Sequence, residues 1–142
     1  MKASSEISSD NAQTEKQQVV ITSYDERDFK TDGLRAYAAY RDLGIAAGTH
    51  GLVQAHVLRF TVPFNREVMS KLHYHGTKFQ MIYVLKGWIK AELEGVGEQL
   101  IKQGGCYTQP PYIKHKVTGY SDDCEVLEII MPAEFETVEL EK

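Results

Sequence analysis

The chain has 142 residues, the size of one domain with a single hydrophobic core. Its formal net charge of -4 at pH 7 argues against the electrostatic attraction to phosphate backbones on which nucleic-acid-binding proteins depend. No apolar run is long enough to cross a membrane, and two cysteines, Cys106 and Cys124, do not make a disulfide framework. We therefore expect a cytoplasmic protein that binds neither nucleic acid nor membrane and keeps its cysteines reduced.

Residues 1–17 are polar, and no apolar segment follows their early lysine. This composition predicts a flexible tail and not a signal peptide. Residues 18–142 are then expected to form the folded domain.

From residue 18 onward, short runs rich in β-branched and aromatic residues alternate with Gly, Pro, Asn and Asp, which is typical of strands and turns. The predicted strands cover residues 19–22, 52–62, 72–75, 79–85, 88–93, 99–101, 114–118 and 125–131. Residues 33–40, which include several alanines, are the only helix candidate, and this segment is short. Many short antiparallel strands in one domain must close on themselves or pack as two sheets, so we predict an all-β barrel or jelly roll.

The stretch HYHGTKFQ places two histidines one residue apart, followed by a glutamine. Side chains in a strand alternate between faces, so His73 and His75 are expected on the same face, where two imidazoles can share a metal ion. Gln80 stands at an odd offset from His75. A hairpin at Gly76 would nevertheless place Gln80 on the neighbouring strand, facing the same interior.

A third histidine, His115, follows Pro110 and Pro111 at the head of another predicted strand. Three imidazoles and the amide oxygen of Gln80 would form a mixed nitrogen and oxygen ligand set suited to Zn, Fe, Mn, Co or Ni. An octahedral ion would keep two positions open for water or substrate, whereas a tetrahedral ion would have a closed, structural site. The alternative is that the histidines bind no metal, or that Gln80 hydrogen-bonds a histidine instead.

Two stretches of the chain resemble the motifs of the cupin superfamily. HYHGTKFQMIYVLKG resembles the first motif, which contains two histidines two positions apart, a carboxylate five positions later and a closing glycine. The residues in these places are His73, His75, Gln80 and Gly87. GCYTQPPYIKH resembles the second motif, with His115 as its histidine. The resemblance covers roughly residues 50–132 and implies a double-stranded β-helix, the jelly-roll barrel of cupins, carrying one divalent metal ion.

The chain departs from the cupin pattern at three positions. Gln80 replaces the usual glutamate, Tyr112 stands where glycine is usual, and Gly119 stands where the second motif usually ends in asparagine. The last two are expected to alter only turn geometry. A neutral amide in place of a carboxylate leaves the charge of a bound ion uncompensated, which favours Lewis-acid chemistry at a carbonyl compound over oxidation.

Some cupins with a His-His-Gln-His set resemble enzymes that open unsaturated uronate sugars, and others resemble polyketide cyclases. The segment EIIMPAEFE is similar to the end of the last core strand in the sugar-acid members, where an acidic residue precedes a proline by four positions. That residue is Glu128 here. Strand alternation places Glu128 beside Val126 and Ile130, and apolar neighbours would raise its pKa into a range suited to proton transfer. An outer, water-facing position for Glu128 is the alternative.

His56 shares a predicted strand face with Leu58 and Phe60, so it either lines the same cavity as an acid or base or is a hydrogen-bonded core residue.

Our leading hypothesis is a metal-dependent isomerase, lyase, ring-opening enzyme or cyclase that acts on a small polar carbonyl or sugar-acid compound, with Glu128 or His56 moving a proton. An Fe(II)-dependent dioxygenase and a non-catalytic small-ligand-binding protein are the alternatives. Apolar residues on both faces of the predicted strand over residues 79–85, and exposed sheet edges, predict a homodimer.

Overall fold

The computed structural model describes residues 14, 16–31, 35, 37–69 and 71–140. The predicted tail over residues 1–17 lies mostly outside these ranges. Among the described residues, no helix has the length and apolar character that a membrane span requires.

The described part of the chain is built mainly of β-strands. The strands are β1 (Ala38–Asp42), β2 (Gln54–Phe60), β3 (His73–His75), β4 (Phe79–Lys86), β5 (Trp88–Leu93), β6 (Gly97–Lys102), β7 (Cys106–Thr108), β8 (His115–Tyr120), β9 (Glu125–Met131) and β10 (Thr137–Glu139). Its short helices are a 3-10 turn (Glu26–Asp28), α1 (Ile45–Gly48) and α2 (Arg66–Met69).

These strands form two five-stranded antiparallel sheets. One has the order β1-β2-β9-β4-β7, and the other has the order β10-β3-β8-β5-β6. Neighbours in space are often far apart in sequence, as in the pairing of β2 with β9 and of β5 with β8. Two packed antiparallel sheets with such crossovers make a jelly roll, so the predicted fold class is confirmed.

The hydrophobic core lies between the two sheets. In β5 the inward positions Ile89, Ala91 and Leu93 are buried, whereas the residues between them are more exposed, as expected for a strand with one face on the core. At one end of the core the rings of Phe60 and Tyr120 stack with centroids 3.9 Å apart. The Tyr120 hydroxyl donates to the Val62 carbonyl at 2.8 Å, so this buried ring keeps its polar tip satisfied.

One predicted strand is absent, and the short helix candidate is strand where its residues are described. Residues 19–22 form no strand; they run beside α1, where the Gln18 N–H donates to the Gly48 carbonyl at 2.9 Å, and Val19 and Ile21 are exposed. The helix candidate over residues 33–40 includes the start of β1, although residues 32–34 and 36 lie outside the described part. Ala38 and Ala39 are buried in β1, where pairing with β2 overrides the helix preference of alanine.

Candidate metal centre and adjoining cavity

Three histidines converge inside the jelly roll. β3 lies between β10 and β8, and its His73 stands opposite His115 in register. The ring centroids of His73, His75 and His115 lie 4.2–4.9 Å from one another, and one ligand nitrogen from each ring lies within 4.8 Å of the others. The short strand therefore brings both of its histidines to the same site as the third.

Hydrogen bonds hold these imidazoles in place through their Nδ1 atoms. Nδ1 of His73 bonds the Lys71 carbonyl at 2.6 Å, and Nδ1 of His115 bonds the Ile113 carbonyl at 2.9 Å. A carbonyl only accepts, so both Nδ1 atoms carry the proton, and in the neutral rings Nε2 keeps its lone pair. Nδ1 of His75 contacts the Thr137 hydroxyl on β10 at 2.9 Å. Outer partners of this kind orient the histidine ligands of metal sites.

The environment keeps the three rings neutral. Burial, together with the charges of the neighbouring histidines, lowers the pKa of His75 to about 3 and that of His115 to about 4. Burial also lowers the pKa of His73. Neutral imidazoles are the form that binds metal ions.

Gln80 reaches the interior from the opposite sheet. The predicted hairpin at Gly76 is wrong, because β3 pairs with β8 and β10, whereas β4 pairs with β7 and β9. Gln80 is nonetheless buried and lines the same cavity as His75. Its amide N–H donates to Glu128 at 2.9 Å, while its amide oxygen is buried without a hydrogen-bond partner.

Glu128 stands on β9 between β2 and β4 and binds both neighbours. One of its carboxylate oxygens accepts from His56 Nε2 at 2.7 Å, and the other accepts from the Gln80 amide. Burial raises the pKa of Glu128, but the hydrogen bond and charge of His56, the charge of Arg35 and the Gln80 bond outweigh it, and the pKa falls to about 2. The prediction of a raised pKa is therefore wrong: the carboxylate faces hydrogen-bond donors and not only apolar neighbours.

A cavity of about 620 Å³ opens beside these groups. It is lined by Asp28, Lys30, Arg35, Tyr40, Asp42, Gln54, His56, His75, Gln80, Glu128, Ile130, Ala133 and Phe135. The sequence predicts His56 and Glu128 at such a cavity, but it gives no indication of Arg35 and Tyr40 there or of Thr137 beside His75. These residues belong to no recognisable motif and come from the short edge strands β1 and β10 or their flanks, so spacing gave no signal for them.

The second cupin-like stretch forms the turn that leads to His115. Tyr112, at the position where glycine is usual, has a φ of 64°, the left-handed conformation that glycine adopts without strain. Its backbone N–H donates to the His75 carbonyl at 3.0 Å, and its ring packs edge-on against Tyr74. The departure from glycine thus keeps the turn and adds an aromatic contact.

The unpartnered polar atoms fit a divalent metal ion. Nε2 of His75, Nε2 of His115 and the amide oxygen of Gln80 are buried, and none has a hydrogen-bond partner among the described residues. Buried polar atoms without partners are rare, and a metal ion on the histidine cluster would satisfy the two histidine nitrogens. Imidazole nitrogens with an amide oxygen suit the transition metals and zinc.

Comparison by sequence finds no protein-family model and no curated protein that matches the chain. Comparison of folds gives clear matches. KdgF from Halomonas sp. has a TM-score of 0.57 at 18% identity, over 75% of this chain and 94% of that one. Streptomyces PAC13, in a variant with uridine, has a TM-score of 0.60 at 12% identity, and the match covers 83% of this chain and 89% of that one. A salicylate 1,2-dioxygenase from Pseudaminobacter salicylatoxidans has a TM-score of 0.59 at 8% identity, and the match covers 75% of this chain but only 31% of that one.

The chain has the cupin fold. At these identities the likeness shows the fold and not the reaction. Structures that share this jelly roll include a salicylate 1,2-dioxygenase, DMSP lyases and an oxalate decarboxylase with Mn(II) centres. The three-histidine cluster lies within the same cupin barrel here, next to the cavity.

Proposed function

We propose that this protein is an enzyme that holds one divalent metal ion on His73, His75, Gln80 and His115 and acts on a small polar carbonyl or sugar-acid compound without redox change. The observation that carries the proposal is the cluster of three neutral imidazoles beside a buried amide oxygen without a partner, next to a cavity of about 620 Å³. When bound, the ion would supply Lewis-acid polarisation of a carbonyl oxygen.

Glu128 is proposed as a positioning residue. Its carboxylate accepts a hydrogen bond from the Gln80 N–H. This bond orients the amide so that its oxygen stays available as a metal ligand. Both Glu128 oxygens already accept hydrogen bonds, and the pKa of about 2 keeps the group ionised at working pH. Glu128 therefore orients its neighbours and is a poor proton donor.

His56 is proposed as the group that moves a proton on the substrate. Because the Glu128 carboxylate only accepts, His56 Nε2 carries the proton in their 2.7 Å bond, so a proton exchanged with the substrate would move at Nδ1. Tyr40 packs edge-on against the ring, with centroids 5.0 Å apart, and restricts its rotation. A carboxylate that holds a histidine in one tautomer is a common way to prepare a general base.

Metal analysis tests the proposed centre directly. Protein purified without chelator should contain close to one equivalent of a divalent metal, and the His73→Ala, His115→Ala double variant should lose it. A matched control is His50→Asn, which removes a histidine outside the cluster and suits the positive φ at that position. Equal metal content in the double variant and the wild type would place the metal elsewhere.

An Fe(II)-dependent dioxygenase is the second candidate, favoured by three neutral histidines and by the fold shared with a salicylate dioxygenase. Oxygen consumption during turnover separates the two reactions. A ligand that binds tightly and is returned chemically unchanged would instead indicate a non-catalytic binding protein.

A further inference from the structure

The guanidinium of Arg35 lies at the centre of the functional region. Arg35 precedes β1, is partly buried and lines the main cavity together with His56, His75 and Glu128. It also lines a smaller pocket of about 250 Å³ on the His73 side of the cluster. It also lines a third space, of about 20 Å³ beside His115, so one cation borders spaces next to all three histidines.

Arg35 has no carboxylate partner within the described residues, where no acidic oxygen lies within 4.0 Å of its guanidinium. The positive charge of Arg35 lowers the pKa of Glu128, but both oxygens of that carboxylate already accept hydrogen bonds from His56 and Gln80. A partly buried cation without a counter-ion is unfavourable unless a ligand supplies the negative charge.

The surrounding groups do not supply that charge. The proposed ligands are three imidazoles and one amide with no carboxylate among them, so they leave the charge of a divalent ion uncompensated. Glu128 offsets only one of the positive charges. At the cavity rim, Asp28, Lys30 and Asp42 are exposed and of mixed sign, so water screens them. The inner cavity is therefore expected to attract an anion.

We propose that the substrate carries a carboxylate that Arg35 binds. The planar guanidinium donates two parallel N–H bonds to a carboxylate, a geometry that a neutral sugar or ketone cannot match. This inference rests on the proposed function for the reaction, but the binding of the acid depends on Arg35 itself. It narrows the substrate class to small carboxylic acids.

Matched acid and neutral probes test the proposal by calorimetry on metal-loaded protein. The pairs are D-galacturonate with D-galactose and pyruvate with hydroxyacetone, and inorganic phosphate serves as a different oxyanion. Wild-type protein should bind at least one acid about tenfold or more tightly than its neutral partner. Arg35→Gln should weaken acid binding about ten- to hundredfold, the range for a hydrogen bond between charged groups, and leave metal content unchanged.

Two further variants control the result. Lys102→Gln removes one positive charge from the exposed strand β6, away from the cavity, and should leave acid binding unchanged. Arg35→Lys keeps the charge but loses the planar fork, so it should retain part of the preference and serves if Arg35→Gln does not fold.

Several outcomes would overturn the proposal. They are wild-type protein that binds neither acid more tightly than its neutral partner, an unchanged preference in Arg35→Gln and Arg35→Lys, and phosphate bound more tightly than both acids. The proposed function fails separately. The purified protein could take up no metal and still show an acid preference that Arg35→Gln removes. This result would refute the metal-enzyme proposal and leave the assignment of Arg35 intact.

Discussion

Gln80 donates its amide N–H to Glu128 at 2.9 Å, and this bond leaves the buried amide oxygen of Gln80 without a protein partner. The two residues lie on adjacent strands, with Glu128 opposite Ile82 and Gln80 opposite Ile130. Glu128 therefore decides which end of the Gln80 amide is available to a metal ion. The proposed role of Gln80 as a ligand depends on this pairing.

Gln80→Glu replaces the N–H donor to Glu128 with a second carboxylate. Metal binding should nevertheless tighten by about tenfold, because a carboxylate is a stronger ligand than an amide for a hard divalent ion, presents an oxygen in either orientation, and forms with Glu128 a pair of negative charges that the ion neutralises. Turnover in Lewis-acid chemistry should fall, since a partly neutralised ion polarises a carbonyl less. The measurement is metal affinity and turnover for both proteins. Gln54→Glu is the matched control, because Gln54 lines the same cavity but its amide oxygen accepts from the Ala55 N–H.

The outcomes for Gln80→Glu separate the hypotheses. Tighter metal binding with faster oxygen consumption would favour the dioxygenase, because extra ligand charge stabilises the oxidised metal. Unchanged metal affinity would show that Gln80 is not a ligand.

Glu128→Leu should weaken metal binding about 10–100-fold, the usual effect of losing a partner that orients a metal ligand. The variant removes the acceptor for both Gln80 and His56, so turnover should fall as well. Glu125→Leu is a matched control on the same strand with a similarly buried side chain, 16% exposed against 12%, but its partners are Arg59 and Lys86. Equal metal affinity in the two variants would contradict the positioning role.

Gly87→Ala should destabilise the protein by about 2–5 kcal/mol, from a left-handed backbone and an overlap in a packed turn. Gly87 has a φ of +71°, and a Cβ there would overlap Ser121 Oγ and approach Asp123 Oδ1 to 2.6 Å. Gly104→Ala is the control: its φ is +86°, but nothing lies within 4 Å of the added carbon, so about 1–2 kcal/mol is expected. Chemical denaturation measures the free energy of unfolding of both variants, and equal destabilisation would mean that packing at Gly87 is unimportant.

Cys106 and Cys124 should differ in reactivity. Cys106 is exposed, whereas Cys124 is buried in the core, and burial together with Asp123 and Glu125 raises the pKa of its thiol to about 12. At pH 8 little Cys124 thiolate exists, so native protein should react with one equivalent of a disulfide reagent. Cys106→Ser should abolish this reaction until denaturant is added. Two equivalents from the folded wild type would contradict the buried placement of Cys124.

We also propose that the chain is a homodimer. The outer face of β4 carries Phe79, Tyr83 and Leu85, and these residues are 40%, 37% and 40% exposed in the single chain. Pairing of two such faces would remove this apolar surface from water. Light scattering at micromolar concentration should give twice the chain mass, and Tyr83→Lys should give the monomer. A monomeric wild type would refute this proposal.

Local patterns were sufficient for the central strands and for one edge strand, β6. Strands β5 and β9 have the predicted bounds, and β2, β4, β6 and β8 differ from theirs by only a few residues. Strands β1, β7 and β10 were missed. All three lie at sheet edges, where a strand has one neighbour and its sequence carries a weaker pattern. Conversely, residues 19–22 have strand-like composition but form no ladder with a neighbouring strand.

The sequence by itself determined the fold class and the three histidines, because two-residue periodicity in β3 and the motif around His115 are local properties. Only the tertiary structure decided how Gln80, Glu128, His56 and Arg35 meet. Glu128 takes partners 72 and 48 positions away along the chain, and these bonds reverse the direction in which burial alone would move its pKa. A pKa depends on every charge and donor around the group, and those neighbours exist only after the two sheets have packed.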